Sequence, residues 1–328
     1  MIQKVLIYIV LFFTIYLNAQ TELIEGTWEE ATCADGTGLI ARHEAAFVAV
    51  GDKFYLLGGR GLRPVSIFDT TTLRWTEGQK PPIELHHFQP VVYKDKVYII
   101  GALTGKYPAE TPIENIYSYD PETDIWTKGA AIPADRQRGS TGNVVVNNKV
   151  YIFCGIKDGH RSDHKKWTDS YDFKTGMWET YHDAPEARDH FQAAVVDHKV
   201  YLIGGRLSKA PQKTFSETIA NIDVFDLKSG KWENSTLKIP TQRAGNMVCA
   251  VGKKIFVIGG ESVAQEKAHA EVEVLDLESR AWIVYPKLIS GRHGTGIINY
   301  KGALYLASGS GNRGGSPELT SMEKLNLK

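Results

Sequence analysis

The chain has 328 residues, and its 38 lysines and arginines balance its 38 aspartates and glutamates, so the formal net charge at pH 7 is +0. Without a net charge there is no overall electrostatic field that would favour nucleic acid or an anionic membrane, and we expect neither as a partner. A preference for a charged ligand would have to come from a local cluster of side chains.

The N-terminal segment has the pattern of a secretory signal peptide. Lys4 precedes an uncharged run over residues 5–17, and Ala19 then supplies a small residue before a cleavage point. The alternative, a membrane anchor, is disfavoured because the run is shorter than the roughly 20 residues that a helix needs to cross a bilayer. We expect residues 1–19 to be removed and no anchor to remain. The ending at residues 18–20 resembles bacterial export signals, which implies a periplasmic or secreted protein of a Gram-negative cell.

One sequence pattern recurs six times in the rest of the chain. An apolar strand ends in a glycine pair or its equivalent, at residues 55–59, 98–102, 151–156, 201–205, 255–260 and 305–309. After a variable loop, five of these units continue with an apolar residue and an aspartate, and a tryptophan follows at Trp75, Trp126, Trp178, Trp232 and Trp282. A repeat of about 50 residues built from short strands predicts a propeller or a solenoid.

The sixth unit lacks its tryptophan, because the sequence ends at residue 328, whereas Trp28 precedes the first unit. A propeller has no unpaired edge between its first and last blades, so we expect residues 26–29 to supply the outer strand of the last blade. Apolar residues alternate in short runs and helical periodicity is almost absent. The predicted fold is an all-β, six-bladed propeller over residues 20–328.

These units resemble the kelch repeat, whose hallmarks are a glycine pair and a tyrosine and tryptophan separated by six residues. The resemblance covers nearly everything after residue 25 and implies a six-bladed kelch propeller. In such a fold we expect ligands to bind to loops at one mouth of the central channel, because the strands hold those loops in rigid positions.

An arginine stands at the start of the innermost strand in five of the six units, and Leu85 takes this place in the other unit. These arginines are Arg42, Arg138, Arg188, Arg243 and Arg292. A ring of guanidinium groups at the mouth would bind a carboxylate, sulfate or phosphate, and we interpret all five as candidate ligand-binding residues. The alternative is a structural role, in which these side chains cap turns or pair with neighbouring carboxylates.

Four histidines follow these positions in matched pairs, His43 with His293 and His87 with His190. We predict that they contact the ligand, since histidine transfers protons near neutral pH and also binds metals. The alternative is that each imidazole bonds to backbone within its inner strand. The three cysteines show no metal-site spacing or disulfide framework, and we predict neither a metal nor a cofactor.

The third unit has a long loop at residues 158–167 that contains a tryptophan outside the repeat position, Trp167. An exposed indole beside polar groups can stack on a sugar ring, so Trp167 is a candidate ligand residue, as is Arg313 at the same rim. The alternative for Trp167 is that it folds back over the outer strands.

These features favour a small-molecule or glycan ligand, and specifically an anionic carbohydrate. The chain resembles exported six-bladed kelch proteins such as N-acetylneuraminate epimerase, which implies anomer exchange by a positioned acid and base. Glu44, His190 and Glu261 are the candidate catalytic residues.

Two alternatives remain open from the sequence. Kelch propellers also bind acidic peptides through arginines at these strand entrances, which would make the protein an interaction module. A copper-radical oxidase similar to galactose oxidase is disfavoured, because that site needs seven blades and a cysteine bonded to a tyrosine, and no cysteine here has such a context.

Overall fold

The computed structural model describes residues 26–327, so the predicted signal peptide at residues 1–19 lies outside the described residues. Six four-stranded antiparallel sheets form six blades, and one short 3-10 turn spans Ala34–Gly36. This arrangement confirms the predicted all-β, six-bladed propeller. Within the described range, no helix is long and apolar enough to cross a membrane.

Each blade consists of an inner, a second, a third and an outer strand. The inner strands are Ala45–Val50, Val91–Tyr93, Gly142–Val146, Gln192–Val196, Met247–Val251 and Ile297–Tyr300. The second strands are Lys53–Gly58, Lys96–Ile99, Lys149–Phe153, Lys199–Ile203, Lys254–Ile258 and Ala303–Ala307. The third strands are Ser66–Asp69, Asn115–Asp120, Thr168–Asp172, Asp223–Asp226, Val272–Asp276 and Met322–Asn326. The outer strands of blades 1 to 5 are Arg74–Glu77, Ile125–Ala131, Trp178–Thr180, Lys231–Glu233 and Ala281–Tyr285.

The outer strand of blade 6 comes from the N-terminal part of the described chain, as the sequence predicts. Glu29–Glu30 pairs with Met322–Asn326, three residues later than the expected start at residue 26. Trp28 precedes this strand and is 5% exposed, and its indole N–H donates to the carbonyl of Pro286 in blade 5 at 3.1 Å. The two ends of the described chain thereby close the ring.

The aspartate found in the first five repeats forms the turn between the third and outer strands. In blade 1, the Asp69 carboxylate accepts the backbone N–H groups of Thr71 and Thr72 at 2.9 Å. Equivalent turns use Asp120, Asp172, Asp226 and Asp276. Asparagine and aspartate favour such turns because the side chain replaces a backbone acceptor. The turn brings Trp75 opposite Phe68 in the strand register, which explains the spacing of the motif.

The glycine pairs allow neighbouring blades to approach closely. Gly59 has a φ of +88° and donates its N–H to the carbonyl of Leu85 in blade 2 at 2.8 Å. A Cβ atom at Gly59 would lie 2.8 Å from the carbonyl oxygen of His43. Gly155, Gly205, Gly260 and Gly309 donate to the next blade in the same way. Glycine is needed here both for its positive φ and for the missing Cβ.

Apolar side chains pack between adjacent blades. One buried cluster joins Leu57 of blade 1 to Ile99 of blade 2 and Val150 of blade 3, all at 0% exposure. The core is therefore distributed around the ring, and each blade is stabilised mainly by its neighbours.

The three cysteines are free thiols. Cys154 is buried, and burial raises its pKa to about 12. Cys249 and Cys33 are half-buried. No disulfide links the described residues.

Candidate functional site

Six equivalent residues surround the mouth of the channel where the inner strands begin, and we call them the mouth belt. They are Glu44, His87, Ser140, His190, Gly245 and Gly294. All six have a positive φ, between 53° and 65°. They line one narrow cavity of about 40 Å³, so their side chains share the same space.

Hydrogen bonds connect each belt residue to the next blade. The N–H of His87 donates to the carbonyl of Glu44 at 3.1 Å, and that of Gly294 donates to Gly245 at 3.0 Å. The same pattern continues around the ring, except that His190 donates to the hydroxyl of Ser140, at 2.8 Å. The circle closes where the N–H of Ala45 donates to the carbonyl of Gly294 at 3.1 Å.

The left-handed backbone is costly for the belt residues that are not glycine. A non-glycine residue in this conformation is destabilised by about 1–3 kcal/mol relative to its preferred regions. Blades 5 and 6 have glycine in the belt, at Gly245 and Gly294, whereas Glu44, His87, Ser140 and His190 are held in the strained conformation. Such strain occurs in tight turns and also clusters at functional sites, so these four residues are candidates for a functional role.

Two glutamines fill the channel beneath the belt. The side chain of Gln89 accepts from the N–H groups of Asn143 and Ala193, at 3.0 and 2.8 Å. Gln192 accepts from Val248 in blade 5 at 2.9 Å and donates to the carbonyl of Thr295 in blade 6. The matched His-Phe-Gln segments of blades 2 and 4 thus place histidine at the mouth and glutamine across the channel.

A larger cavity of about 340 Å³ opens above the belt. Its wall includes Arg60, Tyr107, His160, Arg206, Phe215 and Glu261 together with the belt residues Glu44 and His87. These side chains come mainly from loops between the second and third strands. The cavity combines two aromatic faces with a small number of buried charges, as is typical of small-molecule sites.

Three buried histidines from three blades meet at the edge of this cavity. The ring centres of His87, His160 and His190 lie 4.6–4.8 Å apart in each pair. The Nε2 atoms of His160 and His190 are separated by 3.0 Å. The exposed fractions are 5%, 3% and 5% for His87, His160 and His190, respectively. The cluster therefore lies almost entirely out of contact with bulk water.

A second group, two carboxylates and one histidine, lies beside the first. Oε2 of Glu261 is 3.3 Å from Nε2 of His293, and Oε1 of Glu44 is 3.6 Å from Nδ1 of the same ring. Arg206 pairs with Glu261, and the N–H of Gly314 donates to its other oxygen at 2.8 Å. Glu44 also lies 3.4 Å from Nε2 of His87 and so joins the two groups.

The charges of this site are set by burial and by neighbouring groups. Burial alone would raise the pKa of Glu44, but His293, His190, His43 and Arg206 together lower it to about 2. Burial opposes ionisation of Glu261 as well, and His293 and Arg206 reverse this and lower its pKa. Burial lowers the pKa of His190, and Arg206 adds to the effect. At neutral pH the site therefore has ionised carboxylates and a neutral His190.

The structure does not place the five strand-entrance arginines on the cavity wall. Their side chains are 0–2% exposed and lie inside the blades. Arg188, for example, donates to the carbonyls of Leu202, Gly204 and Asn221. Arg42, Arg138, Arg243 and Arg292 donate to the carbonyls of their own blades in the same manner. The structure therefore corrects the predicted ring of guanidinium groups at the mouth. The five arginines lie inside the blades and stabilise them.

An acidic partner on the third strand explains why these arginines are buried. Arg243 pairs with Glu273 at 2.6 Å, and Arg188 pairs with Asp223 at 2.7 Å. Arg138 pairs with Asp169 and Arg292 with Glu323, while Arg42 donates to the hydroxyl of Ser66. A buried guanidinium needs such a partner, because an uncompensated buried charge is strongly destabilising. These contacts support the alternative from the sequence, in which the five arginines have a structural role.

The other predicted ligand residues differ in where they lie relative to the cavity. The Trp167 ring lies beneath Arg136, 4.3 Å from its guanidinium carbon, and is not part of the cavity wall. His43 lines the cavity and bonds to Glu318 at 2.7 Å. Arg313 lies at the rim, with its guanidinium 5.5 Å from the ring of Phe215. His293 is buried and contacts both Glu44 and Glu261.

The structure adds site residues that the sequence analysis did not select. His160 comes from the loop between Ile156–Asp158 and Ser162–His164, and Arg60 from the equivalent loop of blade 1. Arg60, Arg206 and Glu261 each follow a glycine pair directly in the sequence. A charged residue after the glycine pair is the signal that could have identified Arg60.

The comparison with protein families agrees with this architecture. The family described as KLHDC2/KLHL20/DRC7 Kelch-repeats domain matches residues 87–309, which is more than half of the chain.

The chain belongs to the kelch-repeat family.

Similar proteins share the repeat over different parts of their length. Kelch-like protein terF of Aspergillus terreus is 27% identical over 82% of this chain and 61% of its own length. Kelch-like protein 25 of Xenopus tropicalis is 26% identical over 67% of this chain and 37% of its own length. Beta-scruin of Limulus polyphemus is 24% identical over 86% of this chain and 32% of its own length. The chain therefore spans less than two thirds of each of these relatives.

A solved structure described as "Structure of YjhT" superposes with a TM-score of 0.72 and covers 87% of this chain and 95% of that one. The sequences are 14% identical, so the similarity is one of fold.

Proposed function

We propose that this kelch propeller binds an acidic sugar in the mouth cavity and exchanges its anomers by acid–base catalysis. The cavity volume of about 340 Å³ is at the lower end of the range for small-molecule sites, which suits one sugar ring. The faces of Phe215 and Tyr107 offer apolar surface for a ring, and the buried polar groups lie below them.

The observation that carries the proposal is the group formed by Glu44, Glu261 and His293. Anomer exchange requires one group to remove the proton of the anomeric hydroxyl and another to protonate the ring oxygen, followed by the reverse transfers on the opposite face. An ionised Glu44 suits the first role. The imidazole of His293 lies within 3.6 Å of both carboxylates and positions them, while its Nε2 donates to the carbonyls of Asn312 and Gly314 at 2.9 and 2.7 Å. The second role requires a group on the cavity wall, and we assign it to the hydroxyl of Tyr107.

Recognition of an acidic substituent is assigned to Arg60 rather than to the buried arginines. Its side chain is 22% exposed and pairs with Glu110 through one terminal nitrogen, Nη2. Arg60 also lines the cavity, where the other donors of its guanidinium group could bind a carboxylate.

Binding can be tested by thermal shift of the purified protein with acidic and neutral monosaccharides, because a ligand of the folded state raises the melting temperature. We expect a shift with the acidic sugar. Arg60→Gln should weaken that binding roughly tenfold, which matches the loss of a hydrogen bond to a charged group. Leu62→Ala is the matched control in the same loop, since Leu62 is 53% exposed. Equal affinity of wild type and Arg60→Gln would contradict the assignment of Arg60.

Catalysis can be tested separately by NMR exchange spectroscopy between the two anomers. We expect Glu44→Gln to slow the exchange by two orders of magnitude or more, the usual contribution of a general base. The control is Glu179→Gln, because Glu179 is exposed and pairs with Lys149 on an outer face. Binding without exchange in the wild-type protein would leave a sugar-binding propeller and reject the isomerase.

A second candidate is a protein-interaction propeller, which the kelch-like relatives favour. Three exposed apolar side chains, Leu62, Tyr107 and Val263, lie on loops between second and third strands at the mouth. An acidic peptide in the same thermal-shift screen tests this function. A shift with the peptide and none with sugars would favour the interaction module.

A further inference from the structure

We propose that His87, His160 and His190 form a binding site for a divalent transition-metal ion such as zinc, with Glu44 beside the open coordination position. This inference goes beyond the proposed sugar chemistry, which requires no metal, and it replaces the expectation that the chain binds none.

The first argument is convergence. One potential ligand atom from each of the three imidazoles lies within 4.8 Å of the others. His87 and His190 are residues of the mouth belt, and His160 lies between the two strands of a hairpin in blade 3. Three imidazoles around one point, with a fourth position open, is the ligand set of catalytic zinc sites.

The second argument concerns the protons of His160 and His190. Nδ1 of His160 is 3.0 Å from Oε2 of Glu110, and Nδ1 of His190 bonds to Oδ1 of Asp189. An ionised carboxylate can only accept, so both Nδ1 atoms must donate. Since a neutral imidazole has one proton, both Nε2 atoms then present lone pairs.

A chain of hydrogen bonds leads to the same result for His87. The carbonyl of Gly105 accepts from Nε2 of His86 at 3.0 Å, which leaves Nδ1 of His86 as an acceptor. Nδ1 of His87 lies 2.6 Å from that atom and therefore donates to it. The free lone pair of His87 is again on Nε2, on the side of Glu44.

The lone pairs of His160 and His190 thus face each other at 3.0 Å, and a potential ligand atom of His87 lies within 4.8 Å of both rings' ligand atoms. Facing lone pairs repel each other, so the arrangement is favourable only when a cation lies between them. Zinc–nitrogen bonds of about 2.0–2.1 Å place tetrahedral ligand atoms roughly 3.3 Å apart, close to the observed separation.

The surrounding contacts are those expected around metal-binding histidines. Such ligands usually donate their second N–H to a carboxylate or carbonyl, which orients the ring and increases its basicity. Glu110 is itself held by Arg60, and Asp189 accepts from the N–H and the hydroxyl of Ser208 at 2.9 and 2.7 Å. The ring orientations are therefore fixed without a metal.

The experiment titrates chelator-treated, desalted protein with Zn²⁺ and with Co²⁺. We expect one ion per chain by mass spectrometry of the metal content, a higher melting temperature with Zn²⁺, and a visible Co²⁺ spectrum without thiolate bands. His160→Gln should abolish binding. His198→Gln is the control, because the His198 side chain is 37% exposed and pairs with Asp226 at 3.2 Å.

A second variant tests the metal site without replacing any of the three histidines. Glu110→Gln keeps a hydrogen-bond acceptor at His160 but removes its charge, and it should weaken the metal affinity by about 10–100-fold. This measurement remains informative if His160→Gln fails to fold. Absence of a stoichiometric ion in the wild-type protein, or unchanged binding in His160→Gln, would overturn the proposal and assign a shared proton to the cluster. Sugar binding by the metal-free protein would leave the proposed sugar site intact in either case.

Discussion

Nε2 of His160 lies 3.0 Å from Nε2 of His190, although the two histidines are on different blades and 30 residues apart. Both rings are oriented from behind by carboxylates, Glu110 and Asp189. The cavity wall is therefore built across blade boundaries, from a belt residue of one blade and a loop residue of another. Substitutions at the belt and in the loops should consequently have coupled effects on ligand binding.

The positive φ of the belt predicts an unusual order of stability among substitutions. His190→Gly should be more stable than His190→Ala by about 1 kcal/mol, because glycine adopts φ of 53° without strain and both variants lose the same side-chain contacts. Urea unfolding of the two proteins measures the difference.

The neighbouring His86 supplies the matched control, since it is not among the residues with positive φ. There the order should reverse, with His86→Gly less stable than His86→Ala by about 0.5–1 kcal/mol. If alanine were the better residue at both positions, the strain assigned to the belt would be rejected.

The buried arginines should affect stability rather than ligand binding. Arg243→Ala leaves Glu273 without its partner at 8% side-chain exposure, and breaking a buried pair in this way costs about 3–5 kcal/mol. Chemical denaturation should show this loss. The variant that replaces both residues, Arg243→Leu with Glu273→Leu, should recover part of it, because no unpaired charge remains.

Lys253→Ala serves as the comparison, because Lys253 and Asp197 form a pair with exposed side chains on the surface. Its effect should stay below about 1 kcal/mol. A stable Arg243→Ala protein with weakened sugar binding would instead restore the arginine to the ligand site.

Closure of the ring by the N-terminal strand predicts a large effect of Trp28. Trp28→Ala removes a buried indole and its hydrogen bond to Pro286, and should destabilise the protein by about 3–5 kcal/mol. Thermal and urea unfolding measure this loss. Val284→Ala is a suitable control on the neighbouring blade, because Val284 is 71% exposed and should change stability by less than about 0.5 kcal/mol. A Trp28→Ala protein as stable as this control would show that the closing strand contributes little.

The sequence predicted the fold and part of the site for a physical reason. Turn aspartates and glycine pairs recur because every blade needs the same turn and the same close contact, so alignment of the repeats locates the belt. Glu44, His190 and Glu261 could be selected in this way, and the structure places all three at the mouth: Glu44 lines both cavities, His190 the narrow one and Glu261 the larger one.

The site features that could not be predicted from the sequence depend on the direction of a side chain or on contacts between blades. Alignment gives the position of Arg188 but not the direction of its side chain, which follows from Asp223 on the third strand. The paired acid was present in the sequence and would have indicated the buried role. The meeting of His160 with His190 depends on the path of a loop, which no repeat specifies.

The mouth belt is closed by hydrogen bonds that involve backbone groups and, at one point, the hydroxyl of Ser140. The width of the channel at this level is consequently set by the main chain, and hardly at all by the identities of five of the six residues. A new side chain at the glycine positions is limited by space and by the left-handed backbone. A Cβ atom at Gly294 would lie 2.8 Å from the backbone nitrogen of Glu44, whereas at Gly245 the nearest atom would be Cβ of His293 at 3.3 Å. The chemistry of the channel can therefore be altered more readily on the side of blade 5 than on the side of blade 6.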